Sequence, residues 1–394
     1  MTPKVILLAA ACATLGAAEA PPSGLVVDAE GRLLKDGAPY RAIGVNYFSA
    51  FLRSLQDPDD TSYREGFDEL AKRGIPFIRF NAGGFWPKEW RLYREEPEAY
   101  FRRMDAFVAA AEEKGIGLIP SLCWWYACVP DLVGESCNQW GNPDSKTIAF
   151  LRQYVKDVVV RYVDSPAVWA WELGNEYSLT ADLPNAADHR PWVKPDLGTA
   201  TSRSEADELT HDDVVTASRE FAQAVRQYDP RRPITTGHSL PRPSAHHQRF
   251  DGTWGRDTKQ QFQGNLLDVT PDPLNLISVH VYPFDEGTRF GQKTTTYEEI
   301  LGLCLDASAR AGKALFVGEF GASDKQEDGG PARAREENLE ILAAIESTGV
   351  PLAALWVFDL PHQDSFINVT PTNHRSYLLD ELERANKRLR SAGK

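Results

Sequence analysis

Eight short apolar runs, rich in β-branched and aromatic residues, recur along the chain, and most are followed by an amphipathic stretch of helical period. The runs are RAIGVNYF (41–48), IPFIRFN (75–81), IGLIPSL (116–122), AVWAWEL (167–173), RPITTG (232–237), LNLISVHVY (274–282), KALFVGEF (313–320) and PLAALWVF (351–358). Near-continuous apolarity is the pattern of parallel strands covered on both faces. Between them lie SYREGFDELAKRG, YFRRMDAFVAAAEEKG, SKTIAFLRQYVKDVVVRY, HDDVVTASREFAQAVRQY, YEEILGLCLDASARAG and ARAREENLEILAAIESTG. The first two of these end on Gly, a preferred helix stop. A helix after the fifth run is expected near 258–267, and a last one near 376–391. Ahead of the first run, residues 25–40 alternate and carry Glu30-Gly31 and Asp36-Gly37, which predicts a short β-hairpin.

Strand–helix units repeated eight times predict a single (β/α)8 TIM barrel over residues 21–394. The rival arrangement, an open doubly wound sheet, usually has a Gly-rich phosphate turn after its first strand, and none follows Val45-Asn46. The segments after strands 3, 4, 5 and 8 (123–144, 178–208, 238–257 and 359–375) are long and irregular. They fall on the side where barrel enzymes carry their sites, and they hold Trp124, Trp125, Trp140, Trp192 and Trp254.

Charge narrows the partners. The net charge of −13 opposes a nucleic-acid backbone but not a neutral polymer. Residues 1–20 have a basic start at Lys4, a short apolar core and Ala18-Glu19-Ala20, which reads as a signal peptide cleaved after Ala20. A secreted or periplasmic monomer is expected. A lipid anchor at Cys12 is the weaker reading, because it leaves a very short apolar core. No membrane span is expected in the mature chain.

Cys123, Cys128, Cys137 and Cys304 remain after cleavage, and export permits disulfides. Cys128 and Cys137 are expected to close CVPDLVGESC, so that Glu135 and Trp140 fix one wall of a cleft. No histidine lies at ligand spacing from these sulfurs, which disfavours zinc; no metal or cofactor is called for.

Two carboxylates carry the candidate chemistry. Glu176 follows Leu-Gly-Asn in WELGNEY (171–177), and Glu319 follows a Gly in LFVGEFGAS. Both stand at C-terminal ends of predicted strands, which on a barrel face one another across the mouth. Such a pair suits glycosidic bond cleavage, in which one group protonates the leaving oxygen while the other attacks or activates water. The acid must keep its proton and the nucleophile must be ionised.

Arg79, ending strand 2, would supply a fixed charge beside Glu319, and Tyr282 a second donor. His280 lies on the same strand face as Tyr282. Asn175 is placed to bond a sugar hydroxyl, and Trp356 to floor a sugar ring. Asn46, Trp124 and Trp125 complete the candidate lining. Glu172, deeper in strand 4, is expected to be structural, and His246 and His247 exposed. Singly, each of these residues has a plainer role in an ion pair or a core; the ordered set points to a site.

That set resembles clan A of the glycoside hydrolases, most closely family 5, the family of cellulases and β-mannanases. In that clan an Asn-Glu pair ends strand 4, with Glu as acid/base, and a Glu nucleophile ends strand 7; Asn175-Glu176 and Glu319 match. Family 5 also tends to carry Arg on strand 2, His-x-Tyr on strand 6 and Trp on strand 8; Arg79, His280-Val281-Tyr282 and Trp356 match in order. The resemblance covers roughly residues 40–360.

Two positions depart from the pattern. Where many members have His near the end of strand 3, this chain has Ser121-Leu122-Cys123-Trp124-Trp125, and the usual Asn-Glu-Pro is Asn-Glu-Tyr. His238 is the residue expected to take over part of the missing sugar contact. The resemblance implies an exported retaining β-glycosidase acting on a β-linked oligo- or polysaccharide, with β-mannan or β-glucan foremost. The alternatives are a transglycosylase with the same residues and a carbohydrate-binding barrel without catalysis.

Overall fold

Each of the eight apolar runs supplies one barrel strand in the computed structural model, which describes residues 24–284 and 289–392. The expected signal peptide lies outside the described residues. Strands β1 (Leu25–Val27), β2 (Leu33–Lys35) and β3 (Ala38–Pro39) form a small antiparallel sheet. The barrel strands are β4 (Ala42–Asn46), β5 (Phe77–Asn81), β6 (Gly117–Ser121), β7 (Trp171–Glu172), β8 (Ile234–Thr235), β9 (Leu276–Val281), β10 (Ala314–Phe320) and β11 (Leu352–Leu355). They pair in parallel in the order β8-β7-β6-β5-β4-β11-β10-β9. Between β8 and β9, Asn275 N–H donates to the Ile234 carbonyl (3.3 Å) and Ile234 N–H to Asn275 Oδ1 (2.9 Å), so the sheet nearly closes.

Alternation along the strands builds two cores and then a site. On β5, Phe77 points inward and Ile78 and Phe80 outward. The lower barrel interior is filled by Phe77, Ile119, Trp169, Leu276, Phe316 and Leu352, and Leu25 and Leu33 of the N-terminal sheet plug it from below. A second core lies between the outer strand faces and the helices. One layer higher the character changes: Asn46, Arg79, Ser121, Glu172, Thr235, Ser278 and His280 are polar and buried. A barrel interior that turns from apolar to polar along its axis puts costly polar groups at one end, where they must find partners.

The expected helices form close to their read limits. Tyr63–Arg73 and Pro97–Lys114 stop at Gly74 and Gly115, which turn left-handed at φ 66° and 67°. Helix Lys259–Asp268 follows β8, and Tyr377–Ala392 ends the described chain. Strands β7 and β8 are shorter than the runs that announced them. Gly237 turns left-handed at φ 73° just beyond β8, and only an isolated bridge at Val168 extends pairing below β7.

The expected Cys128–Cys137 bridge is not formed: Cys123, Cys128, Cys137 and Cys304 are all buried free thiols. The segment is two packed turns and not a slack loop. Cys128 opens the helix Cys128–Val133 and accepts from Trp90 Nε1 at 3.2 Å. Cys137 opens a separate turn, Cys137–Gly141. Glu135 does not face a cleft either; its carboxylate accepts the Thr147 N–H (2.8 Å) at the start of helix Lys146–Tyr162. Trp140 is fully buried and donates to the Tyr126 carbonyl at 2.6 Å.

Candidate active site

Arg79 is the hub on which the inward side chains of the upper layer converge. It is fully buried, and each of its N–H groups has an acceptor. Nε donates to Glu172 Oε1 (2.7 Å), and Nη1 to Glu319 Oε1 (2.7 Å) and Asn46 Oδ1 (3.0 Å). Nη2 donates to Asn175 Oδ1 (2.8 Å) and, at 3.4 Å, to the Gly174 carbonyl. Trp124 covers the guanidinium face with its ring centroid 4.4 Å away, a cation–π contact. Asn46 passes the support on by donating to the Gly318 carbonyl at 2.9 Å.

Glu319 reaches this hub through a break in alternation. On β10, Ala314 and Phe316 face inward and Leu315 and Val317 outward, so strict alternation would turn Glu319 away from the mouth. The pairing with β9 slips between Val317↔Val279 and Glu319↔His280. Gly318 is the extra residue of this bulge, and Glu319 turns inward. A Cβ on Gly318 would lie 2.9 Å from Ser278 Oγ and 3.0 Å from His280 Nε2, which is why glycine stands there. Glu319 Oε2 accepts from Tyr282 Oη at 2.5 Å.

Glu176 is held in the left-handed region at φ 57°, a strained conformation for a residue with a side chain. Its N–H donates to the Gly237 carbonyl (2.9 Å), and its Oε1 lies 2.8 Å from His280 Nδ1. The bare Gly174 before Asn175-Glu176 has a steric cause: a Cβ there would sit 2.5 Å from the Cys123 carbonyl oxygen. Glu176 keeps 29% of its side chain exposed against 5% for Glu319, so it is the carboxyl that faces the opening.

Burial lifts the Glu176 pKa above the ordinary carboxyl value, outweighing the Arg79 charge and a hydrogen bond from Ser239. Burial also drives His280 down to about 3, with Glu319 pulling against it, so the imidazole is neutral. The Tyr282 phenol is pushed well up, first by burial and then by both carboxylates, and remains a donor. Ligand atoms of Glu176, His280 and Glu319 lie within 4.8 Å of one another, the one such trio among the described residues. The Arg79 guanidinium, 2.7 Å from Glu319, opposes a metal cation there. Carboxyl oxygens within 4.8 Å of one another are close enough for double displacement, which needs about 5 Å, and lack the wider gap of inversion.

Asn46, Arg79, Trp124, Asn175, Glu176, His280, Tyr282 and Glu319 are thus brought together. Trp356 joins them from beyond β11, its ring 6.0 Å from Trp124 and its Nε1 donating to Gln363 Oε1 (2.9 Å). His238 is buried, its ring 6.3 Å from that of Tyr177, and its flanking Gly237 accepts the Glu176 N–H. Trp125 lies on the rim, in a row of aromatics that includes three not singled out from sequence. Phe48 links Trp356 (6.1 Å) to Phe85 (5.9 Å), Phe85 stacks on Trp125 (5.7 Å), and Trp86 contacts both Trp125 (5.2 Å) and Trp192 (6.0 Å). Phe48, Phe85 and Trp86 stand just past strands 1 and 2; their place after a strand end was the available signal, and loop length drew attention elsewhere.

The family model described as cellulase (glycosyl hydrolase family 5) matches residues 35–359. A probable mannan endo-1,4-beta-mannosidase F of Neosartorya fischeri is 33% identical over 177 residues, 39% of this chain and 38% of its own length. Mannan endo-1,4-beta-mannosidase F of Aspergillus fumigatus is 33% identical over 163 residues, 36% of each chain. The chain therefore matches well under half the length of these relatives. The solved endo-1,4-beta-mannanase of Rhizomucor miehei shares the fold, with a TM-score of 0.64 at 14% identity over 94% of this chain and 100% of that one.

Proposed function

We propose a reaction on the premise that the chain belongs to glycosyl hydrolase family 5: exported hydrolysis of a β-linked glycan, β-mannan foremost, with retention of configuration. The observation that carries it is the carboxylate pair with His280 between them, all within 4.8 Å. Mannan ranks above β-glucan because both relatives above are mannosidases by name. The half-buried aromatic row beside the carboxylates suits the flat faces of successive sugar rings. The leader-like residues 1–20 support export.

In the first step a Glu319 oxygen attacks the anomeric carbon while the glycosidic C–O bond breaks. Arg79 and Tyr282 aim Glu319 by donating to its two oxygens. Glu176, whose pKa burial raises, gives its proton to the leaving oxygen. In the second step Glu176, now a carboxylate, takes a proton from water as that water attacks the same carbon and frees Glu319. Neutral His280 steadies Glu176 from below, and Asn175, oriented by Arg79, is placed for a sugar hydroxyl.

Kinetics of two variants on β-mannan, β-glucan and an activated aryl β-glycoside test this. Glu319→Ala should abolish turnover on all of them. Glu176→Ala should retain activity only on the activated glycoside, and azide should rescue it as a glycosyl azide of retained configuration. Equal, unrescued loss in both variants would refute the roles, and wild-type turnover of glucan with none of mannan would refute the substrate.

A further inference from the structure

Glu172 was expected to be a structural residue of strand 4, yet its carboxylate is fully buried against the same guanidinium that holds Glu319. Nε and Nη1 of Arg79 each donate at 2.7 Å, the first to Glu172 and the second to Glu319. All three side chains are buried, with exposures of 0%, 0% and 5% for Arg79, Glu172 and Glu319. One guanidinium can neutralise only one of two carboxylates. We infer that Glu172 is a positioning residue for the reaction: the standing counter-ion of Arg79, whose charge drives Glu319 toward its covalent, neutral state.

The charges through the cycle give the reason. This inference rests on Glu319 being the nucleophile. In the resting site Arg79 is the one cation between the Glu172 and Glu319 carboxyls; burial lifts the Glu172 pKa while the Arg79 charge and hydrogen bond pull against it, and both are taken as anions there. When the Glu319 oxygen bonds the anomeric carbon, its charge is lost to an ester, and the negative charge appears on Glu176, which has given its proton to the leaving oxygen. Arg79 is then left with Glu172 alone, and that buried pair is balanced. Without the Glu172 charge, the resting site would be balanced and the covalent state would strand a buried cation, an arrangement that is strongly disfavoured. Glu172 therefore weakens the hold of Arg79 on Glu319 and favours attack.

The other groups facing this trio cannot take over the role. His280 and His238 are buried and neutral, with pKa values driven to about 3. Tyr282 is a protonated donor, and Asn46, Asn175, Ser121 and Thr235 carry no charge. Glu176 is the remaining anion, and it is charged only after it has given up its proton.

Glu172→Gln keeps the shape and removes the charge. The acidic limb of kcat/KM should move to lower pH, because Glu319 loses a neighbouring anion and feels Arg79 undivided. Trapping by a 2-fluoro β-mannoside, read by intact mass, should slow by up to about tenfold for each pH unit the limb moves. Glu172→Asp, which restores the charge, should return both toward wild type. An unmoved limb and trapping rate in folded Glu172→Gln would overturn the inference.

A measurement on the wild-type enzyme decides the matter even if that variant does not fold. Infrared spectra of the free and of the trapped enzyme at neutral pH, each taken as the difference between unlabelled protein and protein carrying 13C at the Glu172 carboxyl alone, should show a carboxylate and no protonated carboxyl in either state; a protonated Glu172 would overturn the inference. If the wild type is never trapped on Glu319, the proposed function falls instead, so the two failures are told apart.

Discussion

Gly318→Ala adds one methyl group where the barrel has no room for it. The new Cβ would stand 2.9 Å from Ser278 Oγ and 3.0 Å from His280 Nε2, both on the facing strand β9. Neither neighbour is the free end of a flexible chain: Ser278 is short, and the His280 ring is fully buried. Overpacking of this kind costs about 1–3 kcal/mol. The cheapest relief is rotation of His280, which gives up its 2.8 Å contact with Glu176. A reacting group displaced by about 1 Å loses on the order of a hundredfold in rate. We therefore expect a folded protein, destabilised by about 1–3 kcal/mol in urea titration, with kcat/KM on an activated glycoside reduced roughly ten- to a hundredfold. Wild-type stability together with wild-type kcat/KM would refute the placement of Glu319 by a bulge at Gly318.

Arg79→Lys should fold with a loss of about 3–5 kcal/mol, since an ammonium leaves one buried carboxylate unpaired; its acidic kcat/KM limb should move upward, opposite to Glu172→Gln, and a wild-type pH profile would remove Arg79 from the site. Three buried histidines make the fold acid-sensitive: burial lowers His238 and His280 to about 3 and His211 to about 4, against 6.5 ordinarily. Their contribution is fully present above pH 6.5 and is lost as pH falls toward those values, because the unfolded chain binds protons that the native state refuses. Each contributes a slope of about 1.4 kcal/mol per pH unit, partly offset by Glu172 and Glu176, whose raised values act in the opposite sense; equal urea midpoints at pH 7 and pH 5 would refute it. Cys123, Cys128, Cys137 and Cys304 should resist a thiol reagent in the native state and all react in denaturant, whereas a non-reduced peptide joining Cys128 to Cys137 would show the bridge to exist after all.

The strand ends were legible in sequence because burial on both faces leaves an unmistakable apolar run, and the residue after such a run has one place to go. Arg79, His280, Tyr282 and Glu319 lie in the last residues of such runs and Glu176 just beyond one, and they were picked out in that way. Features that depend on a neighbour were not legible. Gly318 reads as an ordinary strand glycine until the pairing of β10 with β9 shows the slipped register. Glu172 reads as a buried acid in need of any partner, and only the fold tells that the partner is shared with Glu319. The cysteine pairing failed for the same reason: nine positions of separation looked like a closable loop, but local helix formation at Cys128 and capping by Glu135 sent the two thiols into different packing environments.

The N-terminal sheet that plugs the barrel has a consequence for how the molecule is carried. Gly24 lies against Val168 and Arg232, near the starts of β7 and β8, and Gly31 against Gly312 and Lys313, just before β10. At the other end of the described chain, Arg390 donates to the Gly74 carbonyl, just before β5, and Leu389 lines the same surface recess as Leu33 and Tyr40. Both ends of the described chain therefore lie at the pole opposite the carboxylates. A tether joined at either end of the described chain, whether to a surface, a bead or a fused module, would hold the molecule by its closed base and present the open rim outward, a favourable pose for the polymer proposed as substrate.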